Sequence, residues 1–157
     1  IEKAVGKLSR YLKKHPKHHL IVICGNNLPL LARLEKKFGK QTQITLLAST
    51  NQMASYLRAC DVYLSKPGGL SSTEAAVMGI PLIHIAPIPG CEIRNMEYFS
   101  QRGMSLGVDT HWSQLEDALV QLGQPISAKT MQVRQRQYIN PRATEKICDL
   151  AEKAANV

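Results

Sequence analysis

Aromatic residues are few: one Trp, two Phe and five Tyr in 157 residues. They do not interleave with the basic residues, so the chain offers no stacking surface for a nucleic acid, and none is expected as a partner. The four cysteines (Cys24, Cys60, Cys91 and Cys148) lie far apart without a C-x-x-C pair. That spacing argues against a zinc site, and no metal is expected. Cys24 and Cys60 read as buried reduced thiols in a reducing, cytoplasmic setting. No apolar run approaches the ~20 residues a spanning helix needs; the longest, Ala75 to Pro89, is broken by Gly79, Pro81 and His84. No secretory leader is evident, and a start at Ile1 is what a piece of a longer protein would show.

Acidic residues are also scarce, 12 against 20 basic ones, for a formal net charge of +8. Much of the excess lies in one segment, where Lys3, Lys7, Arg10, Lys13, Lys14 and Lys17 face only Glu2. His15, His18 and His19 lie in the same segment. A solvated helix face, a contact with anionic lipid headgroups and a contact with a partner domain all fit this pattern. What is plentiful is apolar residue: 44% hydrophobic with 20% charged is enough for a core, and excludes a disordered chain, a collagen or a coiled coil.

Two hydrophobic rhythms alternate. Val5, Leu8, Tyr11 and Leu12 recur at helical spacing within Glu2–Lys14, and His15-Pro16 ends that helix. Leu20 to Cys24 is a continuous apolar run, the mark of a strand buried on both faces. Further strands are expected at Gln43–Leu47, Asp61–Ser65, Pro81–Ile85 and Ser105–Val108. Helices are expected at Leu28–Phe38, from an Asn51 cap through Ala59, and at Ser71–Met78 with Gly79 closing it. Others are expected at Cys91–Gln101, Trp112–Leu122, Ala128–Tyr138 and Pro141–Ala155. Alternating strands and helices imply one α/β domain over residues 1–157: a Rossmann-like open parallel sheet with helices on both faces. Ligands of such sheets bind beyond the carboxyl ends of the strands.

The loop after the third strand is the strongest local feature. Ser65-Lys66-Pro67-Gly68-Gly69-Leu70-Ser71-Ser72-Thr73-Glu74 runs from a strand into a helix. Glycines let the backbone approach a ligand, and the free N–H groups of Leu70, Ser71 and Ser72 would meet an anion, with the Ser71 and Ser72 hydroxyls as further donors. The pattern is neither G-x-x-x-x-G-K-S/T nor G-x-G-x-x-G, and an ordinary capped turn fits it as well. Glu74 suits either a capping box with Ser71 or a pair of hydrogen bonds to ribose hydroxyls. Pro87 and Pro89 stiffen a loop that delivers Glu92 and Asn95, one turn apart, either to sugar hydroxyls or simply to a helix start. Gly25-Asn26-Asn27 reads as a turn with an Asn cap or as part of the same rim. No nucleophile–base pair stands out, and His84 reads as a core histidine.

Taken together, Val22-Ile-Cys-Gly-Asn-Asn27, Ser65-Lys-Pro-Gly-Gly-Leu-Ser-Ser-Thr-Glu-Ala75, Gly79-Ile-Pro-Leu82 and Pro89-Gly-Cys-Glu-Ile-Arg-Asn95 resemble one family. It is the carboxyl-terminal half of glycosyltransferases with the two-domain B fold. The resemblance lies nearest the branch of monogalactosyldiacylglycerol synthase and the processive diacylglycerol glucosyltransferases. It implies a UDP-sugar-binding half whose amino-terminal, acceptor-binding domain is a separate body. It implies the Gly68–Ser72 turn on the diphosphate, Glu74 on the ribose, and Glu92 with Asn95 at the sugar. Ser49 and Thr50 would lie near uracil, Gly25 and Asn27 would close the site, and Lys66 would stand beside the phosphates. The reaction would be an inverting transfer of a hexose to a membrane lipid, without a metal, at the cytoplasmic membrane surface. Half of a UDP-N-acetylglucosamine 2-epimerase and a non-catalytic nucleotide-binding or membrane-docking module are the alternatives. Cys91 stands where relatives commonly carry Gln, and Leu47-Ala48 lacks their usual Gly and aromatic residue, so the donor sugar stays open.

The basic first helix generates a direct expectation. At low salt the chain should sediment with vesicles containing anionic lipid and stay in solution with neutral ones; equal binding to both would remove the lipid contact.

Overall fold

The computed structural model describes residues 1–109 and 111–155. It contains eight helices and five strands among those residues: α1 (Glu2–Lys14), β1 (Leu20–Ile23), α2 (Leu28–Phe38), β2 (Ile44–Leu47), α3 (Met53–Ala59), β3 (Tyr63–Ser65), α4 (Gly69–Val77), β4 (Leu82–Ile85), α5 (Cys91–Gln101), β5 (Leu106–Val108), α6 (Leu115–Leu122), α7 (Pro125–Tyr138) and α8 (Ala143–Ala155). The α/β order and the parallel pairing are as expected. The single open sheet resolves into two hydrogen-bonded ladders, β1-β2 and β3-β4-β5. Leu20 pairs with Ile44 through to Ile23 with Leu47, while Ser65 sits opposite His84 and Ile85 opposite Val108. All the pairs are parallel, so the carboxyl ends of each ladder lie on one side.

β4 is central in its ladder and buried at every position, as an apolar strand covered on both faces must be. Leu82 and Ile83 are fully buried, with Ala75, Ala76, Phe99, Met104, Val108 and Leu115 in the same cluster. Each large apolar side chain buried this way stabilises by ~1.5–3 kcal/mol. α1 crosses the junction between the ladders. Its Ala4 and Leu8 join the β3–β5 core, Val5 packs with Leu30 and Leu34, and Tyr11 and Leu12 pack with Ile44. Lys7 leaves the basic face and donates from Nζ to the carbonyls of His111 and Trp112, both at 2.9 Å. Lys3, Arg10, Lys13 and Lys14 remain exposed on that helix. Gln43 closes the His15–His19 turn, its amide nitrogen donating to the carbonyls of Leu12, His15 and His18.

α4 ends as the sequence indicates. Gly79 takes φ +68°, its N–H donates to the Ala76 carbonyl and the Ile80 N–H to the Ala75 carbonyl. This is a Schellman closure, and it turns the chain directly into β4. Gln135 of α7 is buried and donates to the carbonyls of Ile80 and Met104, tying the turns that precede β4 and β5.

His84 is wholly buried in β4, as a core histidine, with both ring nitrogens hydrogen-bonded to serines. Burial lowers its pKa from 6.5 to about 4, so the ring is neutral in the fold at neutral pH. Between those two values the unfolded chain binds a proton that the fold refuses, so stability falls as pH drops through this window. The loss from this one group reaches at most about 1.4 kcal/mol per pH unit. The Lys37 hydrogen bond to Glu2 and the Ser113 hydroxyl on Asp109 hold those carboxyls below their ordinary range. Those groups contribute only toward the acid end and act equally in a His84 variant. Denaturant midpoints of wild type and His84→Gln should therefore diverge in pH slope between 6.5 and 4, with the variant flatter; parallel curves would contradict the buried neutral ring.

Candidate functional site

The rim is built on the first turn of α4. Gly68 is the N-cap, with φ −72° and ψ 142°, and no side chain caps the helix. Its carbonyl accepts the Ser72 N–H at 3.1 Å, leaving the N–H groups of Gly69, Leu70 and Ser71 without intrahelical partners. The free donors thus begin one residue earlier than the sequence suggests, because Gly69 already holds helical geometry. A Cβ at Gly69 would meet nothing within 4 Å, so the approach to these donors is open. They carry the positive end of the helix dipole, equivalent to about half a charge.

This turn is held from below and from the side. Pro67 is fully buried and anchors the loop, while Lys66 is exposed. The side-chain amide of Asn95, on α5, donates to the Pro67 carbonyl at 2.9 Å. Ser72 is also fully buried, and its hydroxyl bonds His84 Nε2 at 2.9 Å. The expectation that Ser72 presents a hydroxyl at the rim is therefore corrected: the side chain faces the core, where a histidine is available, and its N–H serves the helix. The Ser71 hydroxyl lies 3.4 Å from the Gly68 carbonyl and stays at the rim. No capping box forms, since the cap is Gly68 rather than Ser71. Glu74 is exposed, and its carboxylate accepts no hydrogen bond among the described residues. It lies close enough to Tyr63 for its charge to add to the burial that pushes that phenol's pKa up.

The loop after β4 is closed by its own acid. Glu92 Oε2 accepts the Ile88 N–H at 2.8 Å, which leaves Oε1 free. Gly90 takes φ +106°, a conformation glycine alone adopts easily. Ala86, at the end of β4, is left-handed at φ +45°; such backbone costs of order 1–3 kcal/mol and clusters at functional sites. Asn95 braces the α4 loop through one N–H of its side-chain amide, bonded to the Pro67 carbonyl; its second N–H and Oδ1 have no hydrogen-bond partner among the described residues.

The remaining rim residues group at the end of the other ladder. Gly25 has φ +61° with open space about it. Asn27 caps α2, its Oδ1 accepting the Leu30 N–H at 3.1 Å. Thr50 Oγ1 accepts the Gln52 N–H ahead of α3, and Ser49 is exposed. No hydrogen bond joins this group to the α4–α5 group among the described residues. Two surface clefts, of about 350 and 290 Å³, lie at the opposite end of the strands. They share Ser100 and Gly103, and Arg102, Arg134, Leu106 and Met131 help line them. Among the described residues no three His, Cys, Asp or Glu side chains gather as a metal site. No helix there is long and apolar enough to cross a membrane. Sequence reasoning missed the tie from Ser72 through His84 to Ser105, because nothing local links residues on three different elements.

The body is all-parallel α/β, with a glycine-opened helix start at the carboxyl ends of its strands. The fold matches the crystal structure of MurG from Acinetobacter baumannii, with a TM-score of 0.68 at 20% identity over 87% of this chain and 42% of that one. The model of the glycosyltransferase family 28 C-terminal domain matches residues 1–153, and the chain belongs to that family. It is 29% identical over 142 residues to the processive diacylglycerol beta-glucosyltransferase of Staphylococcus carnosus, covering 90% of this chain. The Bacillus subtilis protein of the same name is 33% identical over 117 residues, covering 73% of this chain. The aligned part makes up 36% and 30% of those two proteins, so the chain spans about a third of the length of these curated relatives.

Proposed function

We propose that this chain is the donor-binding half of an inverting glycosyltransferase that takes a UDP-sugar and transfers a hexose to a membrane lipid such as diacylglycerol. The observation that carries this reading is the open helix start. Three unpartnered N–H groups, at Gly69, Leu70 and Ser71, converge above Gly68 in a domain of family 28. A diphosphate accepts all three with the helix dipole behind it. Glu74, a short way further along α4 and free of other partners, accepts the two ribose hydroxyls. The free Oε1 of Glu92 reaches the sugar, the backbone about Ser49 and Thr50 lies against uracil, and Gly25 leaves room above the first ladder. Lys66 adds charge beside the phosphates.

In the reaction an acceptor hydroxyl attacks the anomeric carbon as the bond to the UDP oxygen breaks. Negative charge grows on the leaving diphosphate. Fixed N–H donors aimed at that position stabilise it without reorganising, so the reading calls for no metal. The acceptor and the base that takes its proton belong to the amino-terminal domain, which the relatives' greater length accommodates. On this reading the protein meets an anionic membrane surface from the cytoplasmic side, and the exposed Lys3, Arg10, Lys13 and Lys14 of α1 support it. The epimerase and docking-module readings are not favoured, because the sequence relatives are named glucosyltransferases.

Calorimetric titration tests the donor site. UDP should bind, GDP at the same concentration should not, and Glu74→Gln should weaken UDP by about 10- to 100-fold, the worth of a hydrogen-bonded charge. Undiminished UDP binding by the variant, or no binding by wild type, would contradict the assignment.

A further inference from the structure

α4 presents its free N–H groups with no side-chain cap and only a long Ser71–Gly68 contact at its start. Its angle must be set from elsewhere. The deepest polar tie in its first two turns is Ser72, which is fully buried beside Ala75 and Ala76. A hydroxyl there is costly unless hydrogen-bonded, and its partner is His84 Nε2 at 2.9 Å. The other nitrogen, Nδ1, lies 3.0 Å from the Ser105 hydroxyl, just before β5, and Ser105 is itself buried. Phe99 of α5 stands edge-on to the ring, with centroids 5.4 Å apart. Thus one imidazole in the central strand touches α4, α5 and the approach to β5. The two helices it touches are the ones that deliver the Gly68–Glu74 and Gly90–Asn95 segments to the rim.

A neutral imidazole has one donor and one acceptor nitrogen, whereas a serine hydroxyl serves as either. The chain from Ser105 through His84 to Ser72 therefore has a single consistent direction for each tautomer. Both nitrogens are satisfied only when α4 and β5 keep their present positions relative to β4. An apolar residue at 84 would fill the space but leave two buried hydroxyls unpaired and α4 free to roll.

We propose that His84 is a positioning residue for phosphate recognition, fixing through Ser72 the angle at which α4 presents the N–H groups of Gly69, Leu70 and Ser71. This rests on the donor-site reading above. It goes beyond that reading in assigning a role to a residue that touches no ligand.

The test separates the phosphates from the rest of the nucleotide. Affinities of UDP and of uridine are measured on the 157-residue chain, for wild type, His84→Gln, His84→Leu and Ser105→Ala, at a temperature where circular dichroism shows each folded. Wild type should prefer UDP. His84→Leu should lose about tenfold of that preference with uridine binding unchanged. His84→Gln, which keeps a donor and an acceptor, should retain most of it, and Ser105→Ala should lose a smaller part. A merely structural role would weaken both ligands together or neither, and either result would overturn the proposal. If His84→Leu does not fold, an unchanged preference in Ser105→Ala overturns it equally. A wild type with no preference for UDP would remove the donor site and the positioning role together. A preference that survives in folded His84→Leu removes the positioning role alone.

Discussion

Among the described residues no hydrogen bond joins the strands of the two ladders, so the domain is one body chiefly because apolar side chains are buried across the gap between them. Leu20 of β1 is the meeting point: it packs against all three clusters of buried residues. α1 lies over the same junction and contributes to each cluster from successive turns. Its outer face is left polar and basic as a consequence, since every apolar position is committed inward. Removing water from that seam holds the carboxyl ends of both ladders in fixed relation, and the rim is built on that relation. Two groups of candidate residues, with no hydrogen bond between them among the described residues, can act on one ligand only under this constraint.

Within that frame, the chemistry of the rim comes from backbone rather than from side chains. The α4 start offers donors that nothing else satisfies, and its glycines leave them open. The polar side chains around it chiefly hold geometry. Asn95 holds Pro67, Glu92 holds Ile88, Asn27 caps α2, and Ser72 is anchored to His84. Fixed dipoles of this kind stabilise growing charge because they do not have to reorganise. Glu74 is the exception, an exposed carboxylate without a partner in the fold among the described residues.

Much of this was legible in the sequence wherever the signal was local. The bounds of α1, α2 and α5 follow from helical spacing and from their breakers, His15-Pro16, Gly39 and Gly103. The order of elements and the parallel pairing follow from short, continuous apolar runs. Non-local effects were not legible. The Gly68-Gly69 pair reads as a turn, yet Gly69 is already helical, so α4 starts two residues before Ser71. Trp112 reads as the start of α6, but it takes φ +61° and the helix begins at Leu115. Pro125 at the first turn of α7 was a usable signal, since proline is tolerated there, and it moves that start ahead of Ala128. Ser72 reads as a rim hydroxyl because its partner is twelve residues away, on a strand with its own apolar logic. The break between the ladders has no sequence mark at all.

The most direct measurement is an amide NMR titration of the uniformly labelled chain with UDP. A donor site at the α4 start predicts that the largest shifts fall on the N–H groups of Gly69, Leu70 and Ser71, with smaller ones near Glu74 and about Ser49 and Thr50. Shifts centred on the Arg102 and Arg134 cleft at the far end of the strands, with the α4 amides unmoved, would contradict it.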